Sequence, residues 1–124
     1  MASQKSLYHR LGGYDAIAAI VDEFLQTLAE EAQMARFGSG MNLERRKRNR
    51  QLTLDYISAA TGGPTLYLGQ DMKTAHAGLE IDANEWKIAI EHVERALAKF
   101  NVPLAEGREL VAVIDGLRGA IVER

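Results

Sequence analysis

Residues 14–30, YDAIAAIVDEFLQTLAE, follow the glycine pair Gly12-Gly13 and carry apolar side chains at every third or fourth position. These positions are Ile17, Ile20, Val21, Phe24 and Leu28. Steps of three and four residues place them on one face of an α-helix. The stretch therefore predicts a long amphipathic helix, and the glycine pair separates it from a short turn that contains Leu7, Tyr8 and Leu11.

The same helical period continues along most of the chain, and no segment has the alternating pattern of a strand. A second helix is predicted over about 43–61, since residues 62–64 are Gly-Gly-Pro, a typical helix stop. A short helix is predicted over about 71–77. Two long ones follow over about 83–100 and 104–122.

These elements predict an all-α fold. Helix 14–30 is expected to pair with helix 43–61, and helix 83–100 with helix 104–122, so that two antiparallel pairs stack as a sandwich. Asp82 with Glu85 three residues later is a variant capping box at the start of one helix. The glycine-bounded segment 62–82 is unusually long for a connection and is expected to have a functional role.

Composition excludes several classes of protein. The 124 residues fit one domain, and 47% hydrophobic with 26% charged residues is the balance of a soluble protein. A net charge of −2 gives no reason to expect a nucleic acid or membrane partner. The absence of cysteine excludes disulfides, thiolate metal sites and c-type haem attachment. Without an apolar leader or spanning segment, a cytoplasmic location is expected.

An ordered series of short motifs resembles the truncated haemoglobins, with group I closest. The motifs are LYHRLGG at 7–13, VDEF at 21–24, Gly62-Gly63-Pro64, Tyr67, Gly69, Met72-Lys73-x-x-His76, Glu91-His92 and Asn101-Val102-Pro103. Each is weak alone. Their order and spacing over nearly the whole chain make the resemblance specific.

The resemblance implies a single truncated-globin domain over 1–124, a two-over-two helical sandwich that encloses b-type haem (iron protoporphyrin IX), with His76 as the protein's ligand to the iron. Such a ligand is a neutral imidazole whose second nitrogen is held by an acceptor, and the carbonyl of Met72 lies four residues back. The Met72 side chain is expected to pack on the porphyrin. The alternative is a histidine favoured only by the helix end. His9 and His92 are interpreted as ordinary, partly exposed histidines.

Further haem contacts are predicted around this ligand. Lys73 and Tyr67 are candidates to bind the haem propionates, although Lys73 could be solvated and Tyr67 could be loop packing. Trp86 stands where the family places an aromatic side chain that closes the pocket, which is also ordinary core packing. The remaining candidates are Phe37, Leu52 and Thr53.

The side of the haem opposite His76 departs from the family. Leu25 stands where the family has a tyrosine that donates a hydrogen bond to the gas ligand. Asn49 is then the first candidate donor and Thr53 the second, with Tyr56 able to reach the ligand if it turns inward. Alternatively, Asn49 faces solvent and the pocket is largely apolar, which predicts fast oxygen loss. Leu52 lies on this face, and Gln51 is a reserve donor.

The expected function is binding of oxygen, nitric oxide or carbon monoxide, as in oxygen binding or transport, with nitric oxide dioxygenation through a reductase partner also possible. The alternatives are peroxidase-like redox chemistry and a cofactor-free helical interaction domain that docks through the 62–82 loop. The basic run Arg45-Arg46-Lys47-Arg48, with Arg50, is either a solvated face, a propionate partner or a docking surface for an acidic redox protein. The protein is expected to be a monomer or weak dimer.

Overall fold

The computed structural model describes residues 5–38 and 40–124, and every regular element in those ranges is helical. The elements, in chain order, are α1 (Leu7–Arg10), α2 (Tyr14–Glu30), a 3-10 helix (Ala32–Phe37), α3 (Leu43–Ala60), α4 (Met72–His76), α5 (Ala83–Lys99), α6 (Leu104–Asp115) and α7 (Arg118–Ile121). The predicted all-α class is confirmed. Residues 37–40, Phe-Gly-Ser-Gly, contain two glycines and are expected from the sequence to form a loop. Phe37 instead ends the 3-10 helix, and Ser39 lies outside the described residues.

The long helices pair as predicted. Helix α2 packs against α3, α5 packs against α6, and α2 also crosses α5 to join the two pairs. The main core lies between them and contains Leu7, Tyr8, Leu11, Ile17, Ile20, Val21, Leu54, Val93, Ala96, Leu97 and Leu110. Ile17, Ile20 and Val21 come from the apolar stripe of α2 that the sequence predicts, and Leu7, Tyr8 and Leu11 come from the turn before it. Their burial covers the apolar face of α2, as the stability of an amphipathic helix requires.

The predicted capping box at the start of α5 is confirmed, and α4 has a side-chain cap that was not predicted from the sequence. Asp82 Oδ1 accepts the Glu85 N–H at 2.7 Å, and Glu85 Oε1 accepts the Asp82 N–H at 3.0 Å, which is a complete capping box. At α4 the Asp71 carboxylate accepts the Thr74 N–H at 3.3 Å. The hydrogen bonds with Thr74 lower the pKa of Asp71, and this cap fixes where α4 begins.

The prediction of one continuous last helix over 104–122 is wrong. Helix α6 ends at Asp115, and α7 begins only at Arg118 after a break at Gly116 and Leu117. Glycine has low helix propensity, and the break lets Leu117 and Ile121 pack into an apolar cluster away from the main core. As a result, α7 lies against α4.

We call this group the second apolar cluster. Its buried members are Ile81, Trp86 and Ile121, with Phe37, Met72, Ile90, Ile114, Leu117 and Val122 packed against them. It therefore joins the 3-10 helix, α4, α5 and the C-terminal residues. Among the described helices, none is both long enough and apolar enough to cross a membrane.

Candidate functional site

His76 is the last residue of α4 and is half-buried. Its Nδ1 lies 2.9 Å from the carbonyl oxygen of Met72, the predicted acceptor. A carbonyl oxygen can only accept, so the imidazole Nδ1 carries the proton in this hydrogen bond. The neutral ring then has its lone pair on Nε2, which is the state required of a metal ligand.

A concavity of about 500 Å³ lies beside α4. It is lined by Tyr56, Tyr67, Gly69, Asp71, Met72, Lys73, Leu117 and Ala120, and thus by α3, the 62–71 loop, α4 and the residues around α7. Three predicted haem contacts, Tyr67, Met72 and Lys73, meet here. The concavity is open to solvent, and its lining is mainly apolar with a few polar groups.

Tyr67 is held in place on the loop by its neighbours. Its hydroxyl donates to the carbonyl of Gln70 at 2.5 Å, and its ring packs edge-on against Tyr56 with centroids 5.1 Å apart. Partial burial, together with the nearby Tyr56 and Asp71, raises the pKa of Tyr67. The ring also lies so close to Gly69 that any side chain at this position would require Tyr67 to move.

The second apolar cluster brings together other predicted contacts, Phe37, Met72 and Trp86. The Trp86 indole donates to Asp115 Oδ1 at 2.8 Å, which satisfies its only polar group. The Arg36 guanidinium lies 4.1 Å above the centroid of the Phe37 ring. Met72 belongs to both the cluster and the concavity, so the two regions are continuous.

Most of the residues predicted to lie on the side of the haem opposite His76 do not line the concavity. Asn49 is exposed and its amide lies 3.2 Å from Met41 Sδ, while the Thr53 hydroxyl donates to the Asn49 carbonyl at 2.8 Å. Leu25 packs against the main core. Among the candidates of this face in the described part of the chain, Tyr56 alone lines the concavity.

Leu52 and Gln51 lie elsewhere on α3. Leu52 is partly exposed and is absent from the lining of the concavity. The Gln51 amide donates to the Tyr14 hydroxyl at 2.9 Å and to the Asp55 carboxylate at 2.8 Å. Its hydrogen bonds therefore connect α3 to the start of α2 and to the next turn of its own helix.

The interpretation of His92 as partly exposed is wrong. It is 4% exposed, with Nδ1 2.9 Å from Thr27 Oγ1 and Nε2 3.0 Å from Glu31 Oε2. Burial follows from the crossing of α2 over α5, which covers a position beside the apolar stripe. His9, by contrast, is exposed as predicted, with Nδ1 2.8 Å from Ser6 Oγ.

The turn that follows α4 is held by two residues that the sequence did not single out. The Glu123 carboxylate accepts the N–H groups of Gly78 and Glu80 at 3.2 and 2.8 Å, and these bonds lower the pKa of Glu123. Arg36 donates to the Leu79 and Glu80 carbonyls at 3.3 and 3.4 Å. These contacts span more than forty residues, so no local motif signals them.

Arg36 also forms an ion pair with Glu85, which is almost fully buried at the start of α5. The guanidinium hydrogen bond is the main reason that the pKa of Glu85 falls to about 2. Only the capping-box role of Glu85 was visible in the sequence. The ion pair ties the 3-10 helix to α5 next to Trp86.

The basic run on α3 is divided by its environment. Residues 45–48 are exposed, although the Arg46 guanidinium donates to the Met41 carbonyl at 3.3 Å. Arg50 is partly buried and donates to Asp22 Oδ1 at 2.6 Å. The four exposed cations lie in the first two turns of α3. This placement fits a solvated face and equally an acidic partner.

The residues present fit a haem. His76, whose Nδ1 is held by the Met72 carbonyl, could bind the iron through Nε2. The second apolar cluster, with two aromatic rings and a thioether, matches the porphyrin. Lys73, at the concavity that adjoins the cluster through Met72, supplies a cation for the propionates, whereas His76 itself is not among the residues that line this concavity.

Comparison with known proteins identifies the family of the chain. The family model of the bacterial-like globins matches residues 6–123. A group 1 truncated haemoglobin of Mycolicibacterium paratuberculosis is 30% identical over 116 residues, which cover 94% of this chain and 83% of that protein. One from a Nostoc species is 24% identical, covering 96% of this chain and 98% of the relative.

Solved structures show the same fold. The Fe(III) form of truncated haemoglobin from Tetrahymena pyriformis superposes with a TM-score of 0.88 at 23% identity, over 97% of this chain and all of that one (100%). The 2/2 haemoglobin from Synechococcus, solved in the cyanomet state with covalently attached haem, gives 0.86 at 22% identity, again over 97% and 100%. The chain belongs to the bacterial-like globin family, as a truncated haemoglobin of group I, and membership of that family implies haem-based ligand binding.

Proposed function

We propose that the chain binds one b-type haem through Nε2 of His76 and that it takes up a diatomic gas, either oxygen, nitric oxide or carbon monoxide. The observation that carries the proposal is the 2.9 Å contact between His76 Nδ1 and the Met72 carbonyl. When bound, the haem iron supplies an open coordination position for the gas. The chain's own residues orient the ligand histidine, cover the porphyrin and bind its carboxylates.

The Met72 carbonyl has two effects on His76. It fixes the tautomer, because Nδ1–H must donate, and it restrains rotation of the ring about the bond to the helix. Both effects keep Nε2 as the available lone pair. Since donor and acceptor lie one helical turn apart on α4, the arrangement forms wherever α4 itself forms.

On the side opposite His76, few of the predicted side chains can donate a hydrogen bond to a bound gas. Asn49 points toward Met41, the Thr53 hydroxyl is occupied by a backbone carbonyl, and Leu25 has no donor. The Tyr56 hydroxyl at the concavity is the best-placed donor. We expect oxygen to leave quickly, and a slow oxygen dissociation rate in stopped flow would contradict this.

We propose nitric oxide dioxygenation as the second candidate function. Nitric oxide, dioxygen and one electron give nitrate, so the activity needs a reductase as electron donor. The exposed cations at 45–48 are suited to docking an acidic face of that protein. Rapid decay of the oxygenated spectrum on adding nitric oxide would support the activity, and a stable spectrum would reject it.

The first experiment is titration of the purified chain with haemin, followed by ferric and dithionite-reduced spectra. His76→Ala is compared with the wild-type chain and with His9→Ala, a matched control because His9 is exposed and distant in sequence. A saturable Soret band at one haem per chain that is weakened or altered only in His76→Ala supports the proposal. A Soret band that His76→Ala leaves unchanged would exclude His76 as the ligand. No saturable band at all would contradict haem binding.

A further inference from the structure

The turn after His76 has an unusual backbone. Gly78 has a φ of 84° and Glu80 a φ of 56°, so both lie in the left-handed region. Glycine adopts this region readily, but a glutamate does so only at a cost in free energy that its surroundings must offset. The conformation of residues 77–81 therefore depends on contacts from outside the turn.

Glu123 supplies the contacts to the amides of this turn. Its Oε2 accepts the Gly78 N–H at 3.2 Å, and its Oε1 accepts the Glu80 N–H at 2.8 Å. The two oxygens of one carboxylate thus bridge two amides that lie on either side of Leu79. A charged acceptor makes stronger hydrogen bonds than a neutral one.

The rest of the C-terminal segment holds Glu123 against the turn. The Glu123 N–H donates to the Ile81 carbonyl at 2.9 Å, and the Arg124 guanidinium pairs with Glu80 at 3.2 Å. Two residues earlier, Ile121 is buried against Ile81 and Trp86 in the second apolar cluster. The segment that carries the Glu123 carboxylate is therefore held in place by Ile121 before it and by Arg124 after it.

Arg36 completes the enclosure from the opposite direction. It donates to the carbonyls of Leu79 and Glu80, while Glu123 accepts from the amides of Gly78 and Glu80. The turn begins directly after His76. Any shift of its backbone moves the end of α4, on which the imidazole and its Met72 acceptor are arranged.

We propose that Glu123 is a positioning residue for His76, which clamps the turn of residues 77–81 through two amide hydrogen bonds and so fixes the end of α4 that carries the iron ligand. The inference rests on the proposed function, in which His76 is that ligand. It assigns the last residues of the chain a role in setting the iron–histidine bond, in addition to covering the second apolar cluster.

The test compares Glu123→Ala with Glu94→Ala, which removes the same charge from an exposed position on α5. Amide hydrogen exchange is measured on the full chain with and without haem. We expect exchange at Gly78 and Glu80 to accelerate roughly tenfold to a hundredfold in Glu123→Ala only, as the loss of charge-assisted hydrogen bonds predicts. Glu123→Gln, which keeps the side-chain shape, serves if the alanine variant folds poorly.

The second readout is the iron–histidine stretching band in the resonance Raman spectrum of the reduced protein. We expect it to shift or broaden in the Glu123 variants and to remain unchanged in Glu94→Ala. Faster amide exchange with an unmoved iron–histidine band would overturn the inference, because the clamp would then be purely structural. Unchanged amide exchange in the Glu123 variants would also overturn it, because the carboxylate would then not hold the turn. A wild-type spectrum without a band that depends on His76 would instead refute the proposed function, and the inference with it.

Discussion

Replacing His92 with leucine tests the buried polar contact between α2 and α5. Leucine fills a similar volume, so the change removes the hydrogen bonds to Thr27 and Glu31, at 2.9 and 3.0 Å, without opening a large cavity. Thr27 is left partly buried, whereas the side chain of Glu31 is 37% exposed and can recover water.

The magnitude follows from these environments. The hydroxyl contact is worth about 1 kcal/mol, and the carboxylate contact about 1.5 kcal/mol, at the low end for a charged acceptor because Glu31 is partly solvated. Part of this loss is offset because leucine is the more favourable side chain to bury. We expect His92→Leu to lower the free energy of unfolding by about 1–2 kcal/mol.

Urea denaturation followed by circular dichroism measures the effect, with His9→Leu as the control. His9 is exposed, so its replacement is expected to change stability by less than about 0.5 kcal/mol. A double-mutant cycle that combines His92→Leu with Thr27→Val isolates the interaction between these two side chains. We expect a coupling free energy of about 0.5–1.5 kcal/mol. If His92→Leu matches or exceeds the wild type in stability, the contacts do not stabilise the crossing and the reasoning is refuted.

Gly63→Ala is expected to lower the free energy of unfolding by about 1–3 kcal/mol in urea denaturation, because its Cβ would lie 2.5 Å from the ring of Tyr8. The control is Gly119→Ala on α7, where a Cβ meets nothing within 4 Å, and this variant is expected to be neutral or stabilising. The pKa of Glu85 is lowered from 4.5 to about 2, so its contribution to stability is fully present above pH 4.5 and is lost as the pH falls toward 2. The stability difference between wild type and Glu85→Gln should therefore shrink over that interval in acid titrations, and a difference independent of pH would contradict the assignment. Tyr56→Phe is expected to speed oxygen dissociation about two- to tenfold in stopped flow, the loss of one neutral hydrogen bond, and an unchanged rate would show that its hydroxyl does not reach the ligand.

The parts of the site that were predictable from the sequence are those decided within one helical turn. The Met72 carbonyl lies four residues before His76, so helix geometry alone places it near the ring. The capping box of Asp82 and Glu85 is equally local. The pairing of the long helices also followed, because each has one apolar stripe and a connection that brings it back against its neighbour.

The parts that were missed depend on how distant elements meet. His92 sits beside the apolar stripe of α5, and its burial is decided by the crossing of α2 rather than by its own neighbours. Glu123 acts on amides 43 and 45 residues away. The orientation of Asn49 toward Met41 likewise depends on how the chain enters α3.

The contacts of His92 also limit how α2 and α5 can move along each other. Apolar contacts have no direction, so two apolar helix faces can shift by one turn and still pack about equally well. The hydrogen bonds that join one imidazole to both Thr27 and Glu31 are satisfied at a single register. A buried ring with two polar partners therefore fixes the register of α2 against α5, and it would keep the spacing of these helices constant around the rigid, flat haem that we propose the chain binds.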